Sequence, residues 1–203
     1  GGPSASETAT VMAKFPSPLG TGNAQFQVVV AFNYNDPSHI TFTSTTRTVT
    51  PGVANIGWNY APYNTSGLTF ATPKRLTPTY SWPVLWGDPG LATSTNTKYL
   101  FMTALAGPRS KVPTTSNGAM IGDMKPYLGG ACVARSTDGG MNFTVSDQDC
   151  LHSANYDMYD GSDIVAGDNG GSVYAAFVNN TTHQLDVFMA PNATSPFTLV
   201  GTP

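Results

Sequence analysis

The stretch ARSTDGGMNFT, residues 134–144, decides the fold. It contains more turn-specific residues than a simple hairpin turn requires. Its Asp-Gly-Gly triplet at 138–140 is typical of a hairpin connection, since glycine tolerates a positive φ and aspartate can hydrogen-bond its own turn. Ser136 and Phe143 extend the triplet to the spacing S-x-D-x-G-x-x-F. A simple turn would need only the triplet, so the outer positions indicate a more specialised structure.

The composition limits the class of protein. The 203 residues are enough for one large domain or two small ones with a sizeable core. Only 10% are charged, against about 25% in an average soluble domain. The chain is nevertheless 40% hydrophobic, which is too apolar for a disordered segment. Nine Lys and Arg residues are scattered singly and the net charge is −3, so we expect no nucleic-acid partner.

The hydrophobic pattern has the period of strands. Short β-branched or aromatic runs are bounded by Gly, Pro, Asn or Asp, and this pattern predicts an all-β fold. The predicted strands are residues 26–34, 39–50, 97–105, 131–137, 163–167, 172–180 and 184–191. A helical turn is expected only near residues 152–158. Residues 1–24 are interpreted as a polar Pro/Gly-rich N-terminal segment, and residues 25–203 as the β domain. No apolar run approaches the ~18 residues that a membrane span needs.

The two cysteines lie on either side of the opening stretch. Cys132 and Cys150 are separated by a distance in sequence that suits a bridge across a β-hairpin and its loop. The alternative is two buried free thiols. A disulfide would place the protein in an oxidising setting, so we expect an extracellular or cell-surface location.

The opening pattern recurs along the chain. Aligned on Phe143, residues 58–71 and 187–200 give two weaker copies, and the aligned aromatic residues are 73 and 54 residues apart. The matching positions in the first copy are Tyr63, Thr65, Gly67 and Phe70, and those in the third are Ala190, Asn192, Thr194 and Phe197. Each unit has room for about four short strands, which is the size of a propeller blade.

Residues 136–143 resemble the Asp box, S-x-D-x-G-x-T-W/F, of the bacterial neuraminidase repeat in sialidase-like β-propellers. In that family the box is the hairpin between the third and fourth strands of a blade. The resemblance implies that Ser136 and Asp138 hydrogen-bond the turn backbone, that Gly140 takes the special φ and that Phe143 fills the blade core. The first and third copies depart from the box at their Ser and Asp positions.

The resemblance also implies what a sialidase site would need: three arginines, a Tyr nucleophile with a Glu partner and an Asp acid/base. The four arginines are Arg47, Arg75, Arg109 and Arg135, and none lies in the expected Arg-Ile-Pro motif. The only glutamate is Glu7. Whether the chain is an enzyme is left uncertain, and catalysis by this chain alone is not favoured.

Two sets of side chains are candidates for ligands. The loop candidates for a glycan are Trp82, Trp86, Asp88, Arg109 and Tyr127, although the tryptophans could instead fill blade cores. Asp160, Asp163 and Asp168 could supply oxygen ligands for calcium, or could be solvated turn carboxylates. The spacing is not that of an EF-hand loop, and we expect no other cofactor.

The sequence therefore predicts an all-β array of about three or four Asp-box propeller blades that acts by binding, with a glycan or an extracellular protein as its partner. Propellers usually close with four to eight blades. We therefore expect a homo-oligomer, or a propeller completed by another chain or segment. The alternatives are a structural subunit of an extracellular oligomer or filament, and a fragment of a sialidase-like glycoside hydrolase.

Overall fold

The computed structural model describes residues 4–14, 26–35, 40–42, 47–49, 56–64, 67–79, 82, 84–107 and 129–201. These residues contain short strands and two 3-10 turns, at Asp147–Asp149 and Asp168–Gly170. The strands are β1 (Ser4–Lys14), β2 (Phe26–Asn35), β3 (Ile40–Phe42), β4 (Arg47–Val49), β5 (Ile56–Asn64), β6 (Gly67–Leu68), β7 (Lys74–Arg75), β8 (Val84–Trp86), β9 (Leu91–Thr93), β10 (Leu100–Gly107), β11 (Gly130–Ser136), β12 (Cys150–Leu151), β13 (Tyr159–Ala166), β14 (Val173–Asn179), β15 (Gln184–Ala190) and β16 (Thr198–Gly201). In this part of the chain, no helix is long and apolar enough to cross a membrane.

The strands form three antiparallel sheets, each built from consecutive stretches of chain. The first sheet has the order β1-β2-β5-β6, with β7 also on β5. The second has the order β12-β11-β10-β8, with β9 also on β10, and the third is β13-β14-β15-β16. Strands β3 and β4 form a separate hairpin. The expected all-β fold is confirmed, and the three sheets are consistent with propeller-like blades.

The second sheet lies between the other two. One apolar cluster, which includes Val29, Trp58, Met102 and Ala134, joins the first sheet to the second. A second cluster, with Phe101, Val133 and Phe188 among its members, joins the second sheet to the third. All eight positions of β10 are buried as a result. Strands buried on both faces read as continuous apolar runs, which explains the sequence LFMTALAG.

The 136–143 turn is held by its own side chains. Ser136 Oγ donates to Asp138 Oδ1 at 2.8 Å and accepts the backbone N–H of Gly140 at 2.8 Å. Asp138 Oδ1 also accepts the backbone N–H of Asn142 at 2.9 Å. These bonds satisfy turn amides that a simple hairpin would leave to water, and so fix the conformation of the turn.

The same turn attaches the second sheet to the first. Gly140 has a φ of +88°, and a Cβ there would lie 2.5 Å from Val29 Cγ2, so only glycine fits. Gln27 Nε2 donates to the carbonyl of Gly139. Phe143 is only 7% exposed and packs edge-to-face on Trp58, with ring centroids 5.3 Å apart.

The turn of the third copy shares part of this arrangement. It joins β15 to β16, and Asn192 Oδ1 accepts the backbone N–H groups of Thr194 and Ser195, both at 3.0 Å. Phe197 is buried in the second apolar cluster. Both this turn and the 136–143 turn lie between the last two strands of their sheets in chain order.

The first copy folds differently. Tyr63 pairs with Leu68 and Asn64 with Gly67, which gives a much tighter hairpin. Phe70 is 42% exposed, so it does not take the buried position of Phe143. Thr65, the matching position of Asp138, lies outside the described residues.

The N-terminal residues belong to the first sheet. Residues 4–14 were assigned to a polar segment outside the β domain, but they form β1, which pairs with β2 along its length. Polar residues alternate with small or apolar ones here, so one face of β1 packs inward through Val11 and Ala13. The helical turn expected near 152–158 is not found: the described 3-10 turns lie on either side of that segment.

The predicted disulfide is confirmed. Cys132 and Cys150 are directly opposite one another on β11 and β12, with Cα atoms 4.0 Å apart. The bridge closes a loop that contains the 136–143 turn. It therefore holds the two strands at the base of that turn.

We expect Phe143→Ala to lower the free energy of unfolding by about 3–5 kcal/mol, because it removes a buried ring from the contact between two sheets. Phe70→Ala is the matched control and should cost much less, since that ring is 42% exposed and belongs to neither apolar cluster. Urea denaturation of both variants checks this. Equal losses would show that Phe143 does not anchor the sheets.

Replacing both cysteines with alanine should lower the free energy of unfolding by about 3 kcal/mol, as expected for a loop of this size. A reducing agent should destabilise the wild-type chain in thermal melts and leave the double variant unchanged. If reduction had no effect on the wild type, the bridge would contribute nothing to stability.

Candidate functional site

The two ends of the sheets differ. The 136–143 turn and the Asn192 turn lie at one end. The longest connections begin and end at the opposite end of the sheets. They run from β2 to β5 and from β10 to β11. Long connections carried by a rigid scaffold are common places for binding residues. The candidate site is therefore sought at this opposite end, called here the loop end, among its described residues.

An aromatic cluster lies at the loop end, where the connection from β12 to β13 packs against the first apolar cluster. The rings of His152 and Tyr156 are stacked, with centroids 3.9 Å apart and planes 13° apart. The ring of Trp82 lies beside the stacked pair, with its centroid 6.3 Å from that of His152 and 6.5 Å from that of Tyr156. Trp82 is buried, whereas the stacked pair is only half-buried. The pair therefore presents aromatic surface to solvent on a rigid base.

A serine turn positions this pair. Tyr156 donates its backbone N–H to the carbonyl of Ser153 at 3.1 Å and has a φ of +55°. Ser153 Oγ accepts the backbone N–H of Asp157 at 3.0 Å and donates to Asp157 Oδ2 at 2.8 Å. Gly129 donates to the carbonyl of Tyr156 at 2.7 Å, which ties the turn to the second sheet. These bonds hold a non-glycine residue in a left-handed conformation, where it needs such support.

Asp157 is the carboxylate beside the aromatic pair. Burial acts to raise its pKa, but hydrogen bonds from Asn179, Ser153 and Thr181 outweigh it and hold the pKa below its ordinary value. Asn179 Nδ2 donates to Asp157 Oδ2 at 3.0 Å. Asp157 is therefore ionised at neutral pH and can accept hydrogen bonds.

Behind Asp157 lies a buried tyrosine–aspartate pair. Tyr159 donates its hydroxyl to Asp186 Oδ2 at 2.7 Å, and Asn179 Nδ2 donates to the same oxygen at 3.2 Å. Both members of the pair are buried. Burial, with the adjacent Asp186 carboxylate, raises the pKa of Tyr159 far above its ordinary value. A tyrosine held protonated in the core supports the loop end but cannot act as a nucleophile.

Arg135 is engaged at the opposite end of the sheets. Its guanidinium contacts Asp149 Oδ1 at 2.6 Å and donates to the carbonyls of Ala193 and Ser195 at 2.5 and 2.6 Å. The guanidinium also lies over the ring of Phe197, 5.0 Å from its centroid. Arg135 therefore ties the Asn192 turn to the second sheet, and its donors are directed at protein groups rather than at a ligand.

The predicted glycan residues are only partly brought together. Trp82 is buried and Trp86 packs against the second apolar cluster, so both contribute to the core. Asp88 accepts the backbone N–H of Gly161 at 3.0 Å and links the second sheet to the third. Arg109 and Tyr127 lie outside the described residues.

The three aspartates considered as calcium ligands are not brought together. Within the described ranges, no group of three or more His, Cys, Asp or Glu side chains lies close enough to hold a metal ion. Asp160 and Asp163 each accept a backbone N–H from the next residue, as turn and strand carboxylates often do.

Trp82 is the residue of this site that the sequence pattern singled out. His152 stands in no metal-ligand or catalytic spacing, and Asp157 is one of several aspartates in residues 157–168. Asn179 carries no signal that separates it from the other asparagines of the chain. The available clue was the Ser-x-x-x-Asp spacing of residues 153–157, which places a hydroxyl and a carboxylate in one turn.

Comparison with known proteins describes the all-β fold more specifically. The chain has a sialidase-like fold: it is similar to a solved structure described as Hadza microbial sialidase Hz136, with a TM-score of 0.55 and 14% identity. The match covers 98% of this chain and 34% of that one. At this identity the likeness shows the fold alone, and the chain spans about a third of that sialidase's length. No protein-family model and no curated protein matches the chain.

The lowered pKa of Asp157 predicts an acid-sensitive contribution to stability. A carboxyl group whose pKa is lower in the folded state stabilises the protein at pH values above its unfolded-state pKa, here 3.8. This stabilisation is lost as the pH falls through the folded-state pKa. The wild type should therefore lose stability below about pH 4. In Asp157→Asn the loss should be smaller, as urea denaturation across a pH series would measure. Parallel pH profiles would contradict the assignment.

Proposed function

We propose that this protein is a secreted or surface-exposed Asp-box propeller protein that binds glycans at its loop end and does not catalyse their cleavage on its own. The observation that carries the proposal is the half-buried stack of His152 and Tyr156 beside Trp82, followed in the chain by the ionised Asp157.

The arrangement suits a sugar. The C–H face of a pyranose ring packs against aromatic surface, while its hydroxyls need fixed polar groups nearby. The His152–Tyr156 pair supplies the aromatic surface, and the Asp157 carboxylate supplies a hydrogen-bond acceptor for a sugar hydroxyl. The buried network of Asn179 and Asp186 holds that carboxylate in place, so little side-chain freedom would be lost on binding.

The described residues favour binding over hydrolysis. Tyr159 and Asp186 are buried, and this environment keeps the Tyr159 hydroxyl protonated by raising its pKa. Arg135 is committed to Asp149 and two carbonyls. The single glutamate, Glu7, lies on β1. The groups of a sialidase mechanism are therefore not assembled among these residues.

The Asp-box part of the proposal is supported by the turn itself. Ser136 and Asp138 bind the backbone of their own turn, and Phe143 is buried beneath it. This turn lies between the last two strands of its sheet in chain order. A box of this kind is a structural element, so it fixes the blades and leaves the choice of ligand to the opposite end. The Cys132–Cys150 disulfide supports an extracellular location.

Isothermal titration with neutral and sialylated oligosaccharides tests the proposal. We expect Tyr156→Ala to weaken binding about tenfold, because the loss of an aromatic contact costs roughly 1 kcal/mol beyond its area. Phe70→Ala is the matched control, since that ring is exposed at the opposite end, and it should bind normally. Binding that survives Tyr156→Ala unchanged, or no binding to any glycan, would overturn the proposed function.

A second candidate is a portion of a larger sialidase-like glycoside hydrolase. The observation that favours it is the sialidase-like fold over about a third of that enzyme's length. Release of a fluorogenic aglycone from a sialoside by this chain would establish hydrolysis and overturn the non-catalytic proposal.

A further inference from the structure

The third sheet exposes an apolar face. Val165, Tyr174, Val178 and Leu185 are 61%, 44%, 41% and 40% exposed. The pairs Val165–Tyr174 and Val178–Leu185 are directly opposite one another on neighbouring strands, and they share the face that points away from the second sheet. We call this the outward face of the third sheet. A contiguous apolar surface of this kind marks an interaction site.

The repeat shows what this face corresponds to. The shift of 54 residues that aligns Phe143 with Phe197 also aligns Ala131 and Val133 of β11 with Leu185 and Val187 of β15. Ala131 and Val133 are fully buried, because their face of the second sheet packs on the third sheet. The outward face of the third sheet is thus the equivalent of a face that elsewhere in the chain is covered by a following sheet.

The first sheet has an outward face of its own. Met12 is 59% exposed, and it pairs with Val28 on the side of the sheet opposite the first apolar cluster. Lys14 shares this side, as does Arg75, which lies 4.1 Å over the ring of Tyr34. We call this the outward face of the first sheet; it carries apolar and basic residues.

The two outward faces carry opposite charges. Asp163 pairs with Ala176 and Asp160 with Val178, so both carboxylates lie on the outward face of the third sheet. Contact between this face and a second copy of itself would bring like charges together. Contact with the basic outward face of the first sheet would instead pair carboxylates with cations.

We propose that the outward face of the third sheet binds the outward face of the first sheet of a second copy of this chain. Such a contact is heterologous, and two copies related by a two-fold axis would make it twice and close a ring. The two copies would together supply six sheets of the kind described here. That number lies within the four to eight blades with which propellers close.

Native mass spectrometry across the micromolar range tests the pairing. We expect a species of twice the 21.3 kDa chain mass, which Tyr174→Arg reduces to the monomer. Leu199→Arg is the matched control: Leu199 lies in the same sheet and is 46% exposed, but it pairs with Phe188 on the opposite side. It should leave the dimer intact. Circular dichroism of each variant shows that loss of the dimer is not loss of the fold.

A mixing experiment tests the orientation of the copies. Met12→Arg should also abolish the dimer, because it alters the other half of the same contact. A mixture of Tyr174→Arg and Met12→Arg chains should form a heterodimer, since one of its two contacts then has wild-type residues on both sides. Neither variant alone retains such a contact.

Three results would overturn the proposal. The first is a wild-type chain that stays monomeric throughout the range. The second is a dimer that Tyr174→Arg does not affect. The third is a dimer that Tyr174→Arg abolishes but Met12→Arg does not, because that result would indicate contact between two third sheets.

Discussion

Burial of the second sheet on both faces is the constraint on which the rest of the structure depends. Every residue of β10 is buried, and this is possible only because the first sheet covers one face and the third sheet covers the other. Neither apolar cluster could form within a single sheet. The three sheets therefore stabilise one another, and a change at either interface acts on more than one of them.

The two ends of this array differ in what their polar groups contact. At one end, the 136–143 turn, the Asn192 turn and Arg135 use nearly all of their polar groups on backbone and neighbouring turns. At the loop end, buried Asn179 and Asp186 support a half-buried aromatic pair and an ionised carboxylate. The hydrogen bonds at the first end fix the sheets, and the same sheets support the aromatic pair and the carboxylate at the loop end.

Several features were readable from local sequence because local physics decides them. Short β-branched or aromatic runs placed β2, β14 and β15, and the two cysteines flanking a hairpin pattern gave the disulfide. Strand β1 was not predicted, because its small and polar residues carry little hydrophobic signal and only its pairing with β2 makes it a strand. Phe70 aligns with Phe143 in sequence but is not buried as Phe143 is, because residue spacing alone does not determine burial.

The sequence by itself determined the all-β class, the disulfide and the turn at 136–143, since each depends on side chains close together along the chain or on a short-range period. Only the tertiary structure decided that Trp82 lies beside the rings of His152 and Tyr156 and that Asp157 is held by Asn179. It also decided which face of the third sheet remains exposed. These are contacts between residues distant in sequence, and they exist only once the sheets have packed.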